Sequence, residues 1–265
     1  VAAARAAALD VVAITDHDTL TGWAEAGAAA IEHGIALVPG VEISCERGGR
    51  SVHLLGYLVD PAYDPLAAEL AKARDSRVTR LERMVALLAA DGIPLTYAAV
   101  LAQVPPGATP GRPHIADALV AAGVVGSRDE AFERWLHDDS PYYVHHYAPD
   151  PLRAVELVRA AGGVAVLAHP FAATRGAVIL ADEVISHLAD AGLGGIEADH
   201  PDHDEAARAR ARALATRLGL FVTGSSDYHG TGKTTRLGDN LTDPAVLAAL
   251  ERAGSGSAII RPASH

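Results

Sequence analysis

Four short apolar runs end in side chains that a strand does not need for its own folding. VVAITDHD closes on Asp16, His17 and Asp18, VAVLAHP on His169, and LFVTGSSDYHG on Asp227 and His229, while ALVPGVEIS carries Glu42 just past its apolar stretch. Parallel strands in a barrel or an open sheet bring their ends to one face, and enzymes of that build keep their chemistry there. The pattern predicts an α/β fold whose strand ends deliver imidazoles and carboxylates to a common mouth.

The bulk numbers narrow the function. With 265 residues, 49% of them hydrophobic and 21% charged, the chain suits one large α/β domain with room for an insertion. No run approaches the roughly 18 apolar residues of a membrane span. The single cysteine, Cys45, excludes an internal disulfide and fits a cytoplasmic protein. A net charge of −11 argues against indiscriminate nucleic-acid binding, yet bound divalent ions would reverse the sign of a site locally.

Read in order, residues 2 to 9 suit the tail of a helix leading into a strand at 10 to 15. Thr19 or Thr21 caps a helix that ends near His33, with Gly34 as its stop. Strands follow at 35 to 38, 41 to 45 and, after a Gly-Gly turn, 51 to 59. Alternation sets Glu42 and Ser44 on one face and Cys45 on the other, so Cys45 reads as a core thiol. From 61 to 149 the rhythm breaks into helices: a long amphipathic one through Leu66, Leu70, Leu81, Met84 and Leu88, then one near Tyr97 to Ala102, one starting at Pro113 and one capped by Ser127 with Glu130. This is a helical insertion between a first sheet part at 1 to 60 and a second at 150 to 265. The second part opens on the Asp150 and Pro151 helix start and carries strands at 164 to 168, 195 to 198 and 220 to 224, with helices at 151 to 161, 178 to 191, 204 to 218 and 244 to 253.

Divalent ions such as zinc, manganese or iron accept this mixture of imidazole nitrogen and carboxylate oxygen. His17, Glu42, His53, His169, Asp227 and His229 supply four imidazoles and two carboxylates. Any one of them alone reads as a hydrogen-bonded structural residue, and TDHD alone as a helix cap; the set carries the prediction. Ser225 and Ser226 are discounted as nucleophiles because no GxSxG elbow surrounds them. Arg74, Arg77, Arg80 and Arg83 recur every three residues along the long helix. They could track a nucleic-acid backbone, but a solvated face pairing with Asp75 and Glu82 is the preferred account.

TDHDTLTG, PGVEIS, HLLGY, GRPHIA, AHP and GSSDYHG, in this order, resemble the polymerase and histidinol phosphatase (PHP) family of metal-dependent phosphoesterases, and within it the TrpH-like branch. The resemblance spans nearly the whole chain. It implies a distorted (β/α)7 barrel with a helical insertion after the HLLGY strand and up to three divalent ions, manganese, zinc, iron or magnesium. His17, Glu42, His53, His169, Asp227 and His229 match the family's metal ligands, with Glu42 as the bridging one. Arg112 and His114 match residues near the substrate phosphate, and His203 a further substrate-side histidine. The family's first strand, with its HxH and following SDG aspartate, is absent from the chain and expected upstream of Val1, so the chain as it stands is expected to hold fewer ions.

The activity this implies is hydrolysis of a terminal phosphate from a nucleotide, of the nucleoside 3′,5′-bisphosphate type, or trimming of short single-stranded RNA from its 5′ end. A metal-bound hydroxide would attack phosphorus in line, Arg112 would grip the phosphate oxygens, and His114 or His203 would give the leaving group its proton. Two alternatives stand beside it. One is an amidohydrolase-like metal hydrolase of C–N bonds, against which GRPH and SSDYH speak; the other is a degenerate, non-catalytic barrel that binds a ligand or partner.

Overall fold

The computed structural model describes residues 1–105, 108–137, 139–172, 180–230 and 234–263. The chain divides into two compact units: unit 1 comprises Val1–Ala68 and Pro149–His265, and unit 2 comprises Glu69–Ala148. Among the described residues no helix is long and apolar enough to cross a membrane.

Unit 1 is an α/β unit built on a six-stranded sheet in sequential order, β1 (Val11–Ile14), β2 (Ala36–Arg47), β3 (Arg50–Tyr57), β4 (Val164–Leu167), β5 (Gly195–Asp199) and β6 (Phe221–Gly224). The helices are α1 (Ala2–Ala6), α2 (Trp23–His33), α7 (Pro151–Ala160), α8 (Asp182–Asp190), α9 (Glu205–Leu218) and α10 (Pro244–Ala253), numbered with those of unit 2 in chain order. Strand pairs β1 with β2, β4 with β5, and β5 with β6 are parallel, whereas β3 runs antiparallel to both β2 and β4. The expectation of an all-parallel set of strands is corrected at β3, and the cause is local. Gly48 and Gly49, at φ +60° and +77°, make a two-residue turn from β2 to β3, and so short a connection reverses the chain.

β2 is one strand where two were expected. It pairs with β1 over Ala36 to Pro39 and with β3 from Gly40 to Arg47, so the missing N–H of Pro39 falls where the strand changes partners. Gly40 stands at that exchange. A Cβ there would lie 3.2 Å from the Ile14 carbonyl oxygen and 3.0 Å from the Tyr57 ring.

The helix ends follow side-chain chemistry. Asp150, Asp204 and Asp243 accept backbone N–H groups at the starts of α7, α9 and α10, and Gly34 and Gly219 end α2 and α9 in the left-handed conformation. α2 differs from expectation, since Gly22 caps it without a side chain and Thr19 and Thr21 bond to one another instead. α8 starts at Asp182; the first two residues of the expected 178 to 191 helix lie outside the described residues. Apolar clusters back the sheet, among them one around Leu55, Tyr57, Val164 and Val166 and one around Ala30, Ile35 and Leu37.

Unit 2 is helical. α3 (Asp64–Ala90) begins in unit 1 and continues through unit 2, followed by α4 (Tyr97–Leu101), α5 (Arg112–Ala121), α6 (Arg128–Ala131) and a π-helical turn at Phe132–Leu136. Leu81, Met84, Leu88, Ile115, Leu119 and Leu136 form its core. The Ser127 cap is present, with its Oγ accepting from Glu130 N–H; Glu130 reaches back one residue further than expected, to Gly126 N–H at 2.7 Å.

Candidate metal centre

The centre of the site in unit 1 is Glu42, in the middle of β2 and buried. Its Oε1 lies 2.7 Å from His53 Nδ1 and 3.4 Å from His169 Nε2, and its Oε2 lies 3.6 Å from His17 Nε2. Each ring arrives from a different element. His17 follows β1 and bridges in register to Glu42, His53 faces Ser44 across the β2–β3 ladder, and His169 follows β4. The reversal of β3 explains His53, because the beginning of an antiparallel strand meets the ends of its neighbours.

Asp18 fixes the His17 loop. It is fully buried at φ +55°, its Oδ1 and Oδ2 accept the backbone N–H and the hydroxyl of Ser44, each at 2.8 Å, and its own N–H donates to the Glu42 carbonyl. Removing the carboxylate takes both of these acceptor oxygens from Ser44. Asp18→Ala is therefore expected to lower stability by about 2 kcal/mol or more in urea unfolding.

A second group adjoins the first. His200 follows β5 with no exposed surface; its ring lies 4.9 Å from that of His169, and its Nε2 lies 3.4 Å from Asp227 Oδ2. Asp227 follows β6, and His229 Nδ1 lies 2.9 Å from the Asp227 carbonyl. A His229 that donates from Nδ1 to that carbonyl presents the lone pair of Nε2, the arrangement common among metal-binding histidines. His200 is the opposite case. Its Nδ1 accepts from the Asp202 N–H at 3.0 Å, so in the neutral ring the proton sits on Nε2.

Electrostatics follow the geometry. Burial works to raise the Glu42 carboxyl, yet His17 and His53 beside it hold it well below the ordinary carboxylate range. Glu197, in β5 and 2% exposed, is pushed up to about 7 by burial, with the charges of Glu42 and Asp227 adding and His169 opposing. Its Oε2 accepts the backbone N–H of His169 at 3.0 Å, and His169 itself sits at φ +28°, a strained conformation for a residue with a side chain.

The donor set suits divalent ions. His53 Nδ1 and His169 Nε2 stand 3.3 Å apart, both turned to one carboxylate oxygen. Two imidazole nitrogens and a carboxylate oxygen so close are a donor set that a cation can satisfy. His17, Glu42 and His53 form one group with donor atoms within 4.8 Å of one another; His200, Asp202 and Asp227 lie as close together, but the lone pair of His200 Nδ1 is taken by the Asp202 N–H.

The other expected site residues are placed differently. His203 is buried with its Nδ1 against the Ala198 carbonyl and its Nε2 accepting from Phe171 N–H. Both nitrogens thus hold backbone, and none remains to protonate a leaving group. His200, three residues earlier, was missed; DHP after β5 repeats the AHP after β4 and was the available signal. Arg112 and His114 belong to unit 2. His114 Nδ1 accepts the Gly111 N–H at 3.0 Å and caps α5, and Arg112 donates to the Leu136 carbonyl at 2.8 Å.

Unit 2 also holds a perturbed histidine of its own. Burial and the nearby Arg80, Arg77, Arg112 and His145 push His146 down to about 3. Between pH 6.5 and about 3 the unfolded chain takes up a proton there that the folded chain refuses. Stability of unit 2 is therefore expected to be complete with respect to this group above pH 6.5 and to decline as pH falls through that window. Urea unfolding followed by Trp135 fluorescence reads the decline, and His146→Gln is expected to flatten it.

No family model matches the chain. A 3′,5′-nucleoside bisphosphate phosphatase of Chromobacterium violaceum is 36% identical over 235 residues, covering 89% of this chain and 81% of that protein. A 5′-3′ exoribonuclease of Haemophilus influenzae is 32% identical over 238 residues, 90% of this chain and 86% of the relative. A crystal structure described as that of a metal-dependent phosphoesterase from Bifidobacterium adolescentis superimposes with a TM-score of 0.92 at 40% identity, covering 95% of this chain and 88% of that one. Identity at this level over this much of each chain, together with the imidazole and carboxylate cluster at the strand ends, leads to one conclusion. The chain belongs to the PHP family of metal-dependent phosphoesterases.

Proposed function

We propose that unit 1 is a distorted (β/α)7-type barrel in which His17, Glu42, His53, His169, Asp227 and His229 hold divalent ions, and that the chain removes a terminal phosphate from a nucleotide. The convergence of three imidazole nitrogens on Glu42 within 3.6 Å carries this reading. The relatives named for nucleoside bisphosphates and for 5′-3′ cleavage of RNA support a nucleoside 3′,5′-bisphosphate, or the 5′ end of a short RNA, as the substrate.

Magnitude argues for metal. Enzymes accelerate phosphate-monoester hydrolysis by up to ~10²¹-fold, and a positioned general base contributes only about 10² to 10⁴ of that. Divalent ions supply the difference by making water nucleophilic at neutral pH and by neutralising charge on the phosphoryl group.

The chain's own residues do the rest. Glu42, central among the rings, gives the site the negative charge that retains cations. Glu197 and Asp18 hold the backbones of His169 and of the His17 loop. His200 keeps a proton on Nε2 beside Asp227, which makes it, and no longer His203, the donor to an oxygen of the leaving group. Arg112 offers a planar fork to phosphate oxygens and His114 a ring fixed by its helix cap.

The test is a phosphate-release screen with manganese over nucleoside 3′,5′-bisphosphates, nucleoside monophosphates, 5′-phosphorylated short RNA and an N-acyl amino acid. Release from the bisphosphate or the RNA that chelation abolishes is the expected result. Hydrolysis of the amide with no phosphate release replaces the reading with the amidohydrolase one, and loss of every activity while metal is retained leaves a binding protein.

A further inference from the structure

Arg208, Arg210, Arg212 and Arg217 lie along α9, and the structure sends them to different places. Residues four apart on a helix share a face. Arg208 and Arg212 accordingly both meet Asp199 at the end of β5, whereas Arg210 turns to Asp182 at 2.6 Å and lies over the Phe171 ring, 4.3 Å from its centroid. As on α3, where Arg77 and Arg80 are half-buried and Arg83 is exposed, the row is not one solvated face. Arg208 does more than pair with a carboxylate. Its Nη2 donates to the His200 carbonyl at 2.9 Å and its Nε to the His203 carbonyl at 3.1 Å. One planar guanidinium thus spans the turn from His200 to His203, a geometry that a rigid fork of donors suits.

That turn follows the sheet without being part of it. The pairing of β5 with β6 shifts register between Glu197 and Asp199 and ends there. Within the turn, His203 N–H donates to the His200 carbonyl at 3.1 Å and Asp202 N–H to His200 Nδ1 at 3.0 Å. Both bonds are internal and move with the turn. Its far end is anchored through the His203 ring, to the Ala198 carbonyl and the Phe171 N–H; Arg208 anchors the near end to α9. The ring held there is unusual. His200 has no exposed surface, and its Nε2 is enclosed without a hydrogen bond among the described residues, Asp227 Oδ2 lying 3.4 Å away. With Nδ1 occupied, the neutral ring carries its proton on Nε2. Buried polar groups are nearly always satisfied, so an enclosed N–H left without an acceptor marks a place that an incoming oxygen completes.

We propose that Arg208 is a positioning residue for the reaction: by bridging the carbonyls of His200 and His203 it fixes the His200 ring, so that Nε2–H meets the oxygen that leaves the phosphoryl group. A hydrogen bond there stabilises the charge that gathers on this oxygen as its bond to phosphorus breaks, and the proton stays on the ring. Such a bond depends on aim, since a misplacement of about 1 Å costs on the order of 10²-fold. Being strongest in the transition state, it acts on kcat and not on KM. The proposal rests on the role given above to His200, and the experiment separates the two.

The parent, Arg208→Gln, Arg208→Lys and Arg212→Gln are compared as full chains with manganese on two substrates. One is a nucleoside 3′,5′-bisphosphate, whose leaving sugar oxygen keeps its charge; the other is p-nitrophenyl phosphate, whose leaving phenolate spreads it into the ring. Arg208→Gln is expected to lower kcat on the bisphosphate by roughly 10- to 100-fold with KM little changed, and to lose far less on p-nitrophenyl phosphate. Arg212→Gln, which gives up the Asp199 contact and touches neither carbonyl, should match the parent on both. Arg208→Lys keeps the charge and reaches one carbonyl of the two; it should show the same split at smaller size, and it serves where the glutamine variant fails to fold. In the metal-free proteins, 1H–15N spectra should show a His200 Nε2–H shielded from exchange with water in the parent and exchanging faster in the Arg208 variants. Equal losses on the two substrates, parental kcat on the bisphosphate, or an unchanged His200 resonance in a folded Arg208 variant each overturn the proposal. If the parent releases phosphate from neither substrate, the phosphatase reading fails, and the His200 resonance still decides whether Arg208 holds the ring.

Discussion

Glu42→Gln is expected to strip the protein of bound divalent metal and to lower phosphate release by more than about 100-fold. Changes to groups one layer outside a metal already cost roughly 10- to 100-fold in affinity or activity, and Glu42, as a proposed ligand, would stand closer than that. Three imidazoles face its two oxygens, and they hold its carboxyl ionised against the pull of burial. Glutamine keeps the shape and one acceptor but removes the charge. The fold should survive, because the local backbone bonds, Glu42 N–H to the Asp16 carbonyl and Asp18 N–H to the Glu42 carbonyl, do not involve the side chain. Metal content by elemental analysis and thermal unfolding of the same sample separate the two effects. The exposed Glu32→Gln is the control, and parental metal content in Glu42→Gln would remove Glu42 from the centre of the site.

The elements of unit 1 were legible because strand ends and helix starts carry local chemistry. Asp150 before Pro151, Gly34 after His33 and the apolar runs ending at Ile14, Leu167 and Gly224 are each decided within a few residues. The direction of β3 was legible too, since Gly48 and Gly49 make a two-residue turn that reverses the chain, and that reversal is the reason His53, expected with Glu42 from the ligand set, opens its strand beside the ends of its neighbours. The π-helical turn at Phe132–Leu136 has no such local mark.

Burial of charge was what the sequence concealed. Glu197 lies between Ile196 and Ala198 in a strand, and nothing in its neighbours tells that all three are sealed from water. Asp18 looks like a helix cap until Ser44, 26 residues away, proves to be what it holds. His200 and His203 are alike in sequence, and only the bonds made by their ring nitrogens part them. One keeps Nε2 beside Asp227, whereas the other has both nitrogens committed to backbone.

Glu197 gives the second large effect, and it acts on the site through the backbone of His169. The His169 backbone is held at φ +28° while its ring reaches Glu42; a residue with a Cβ stays there only when its surroundings over-determine it. The bond from His169 N–H to Glu197 Oε2 is the constraint seen at that position. Glu197→Ala removes the acceptor, leaves a buried N–H and opens space in the sheet. A stability loss of about 2 to 4 kcal/mol is expected from the two together, with a fall in metal affinity of roughly 10- to 100-fold as the His169 ring loses its aim. Glu197→Gln retains an oxygen in the same place. Burial pushes the native carboxyl up to about 7, so near neutral pH the native side chain already spends much of its time uncharged, and the glutamine should keep both stability and metal. Urea unfolding and metal titration on the two variants read the difference. Equal losses in both would show that charge matters at this position and the acceptor does not; an alanine variant that binds metal as the parent does would show that His169 keeps its conformation unaided.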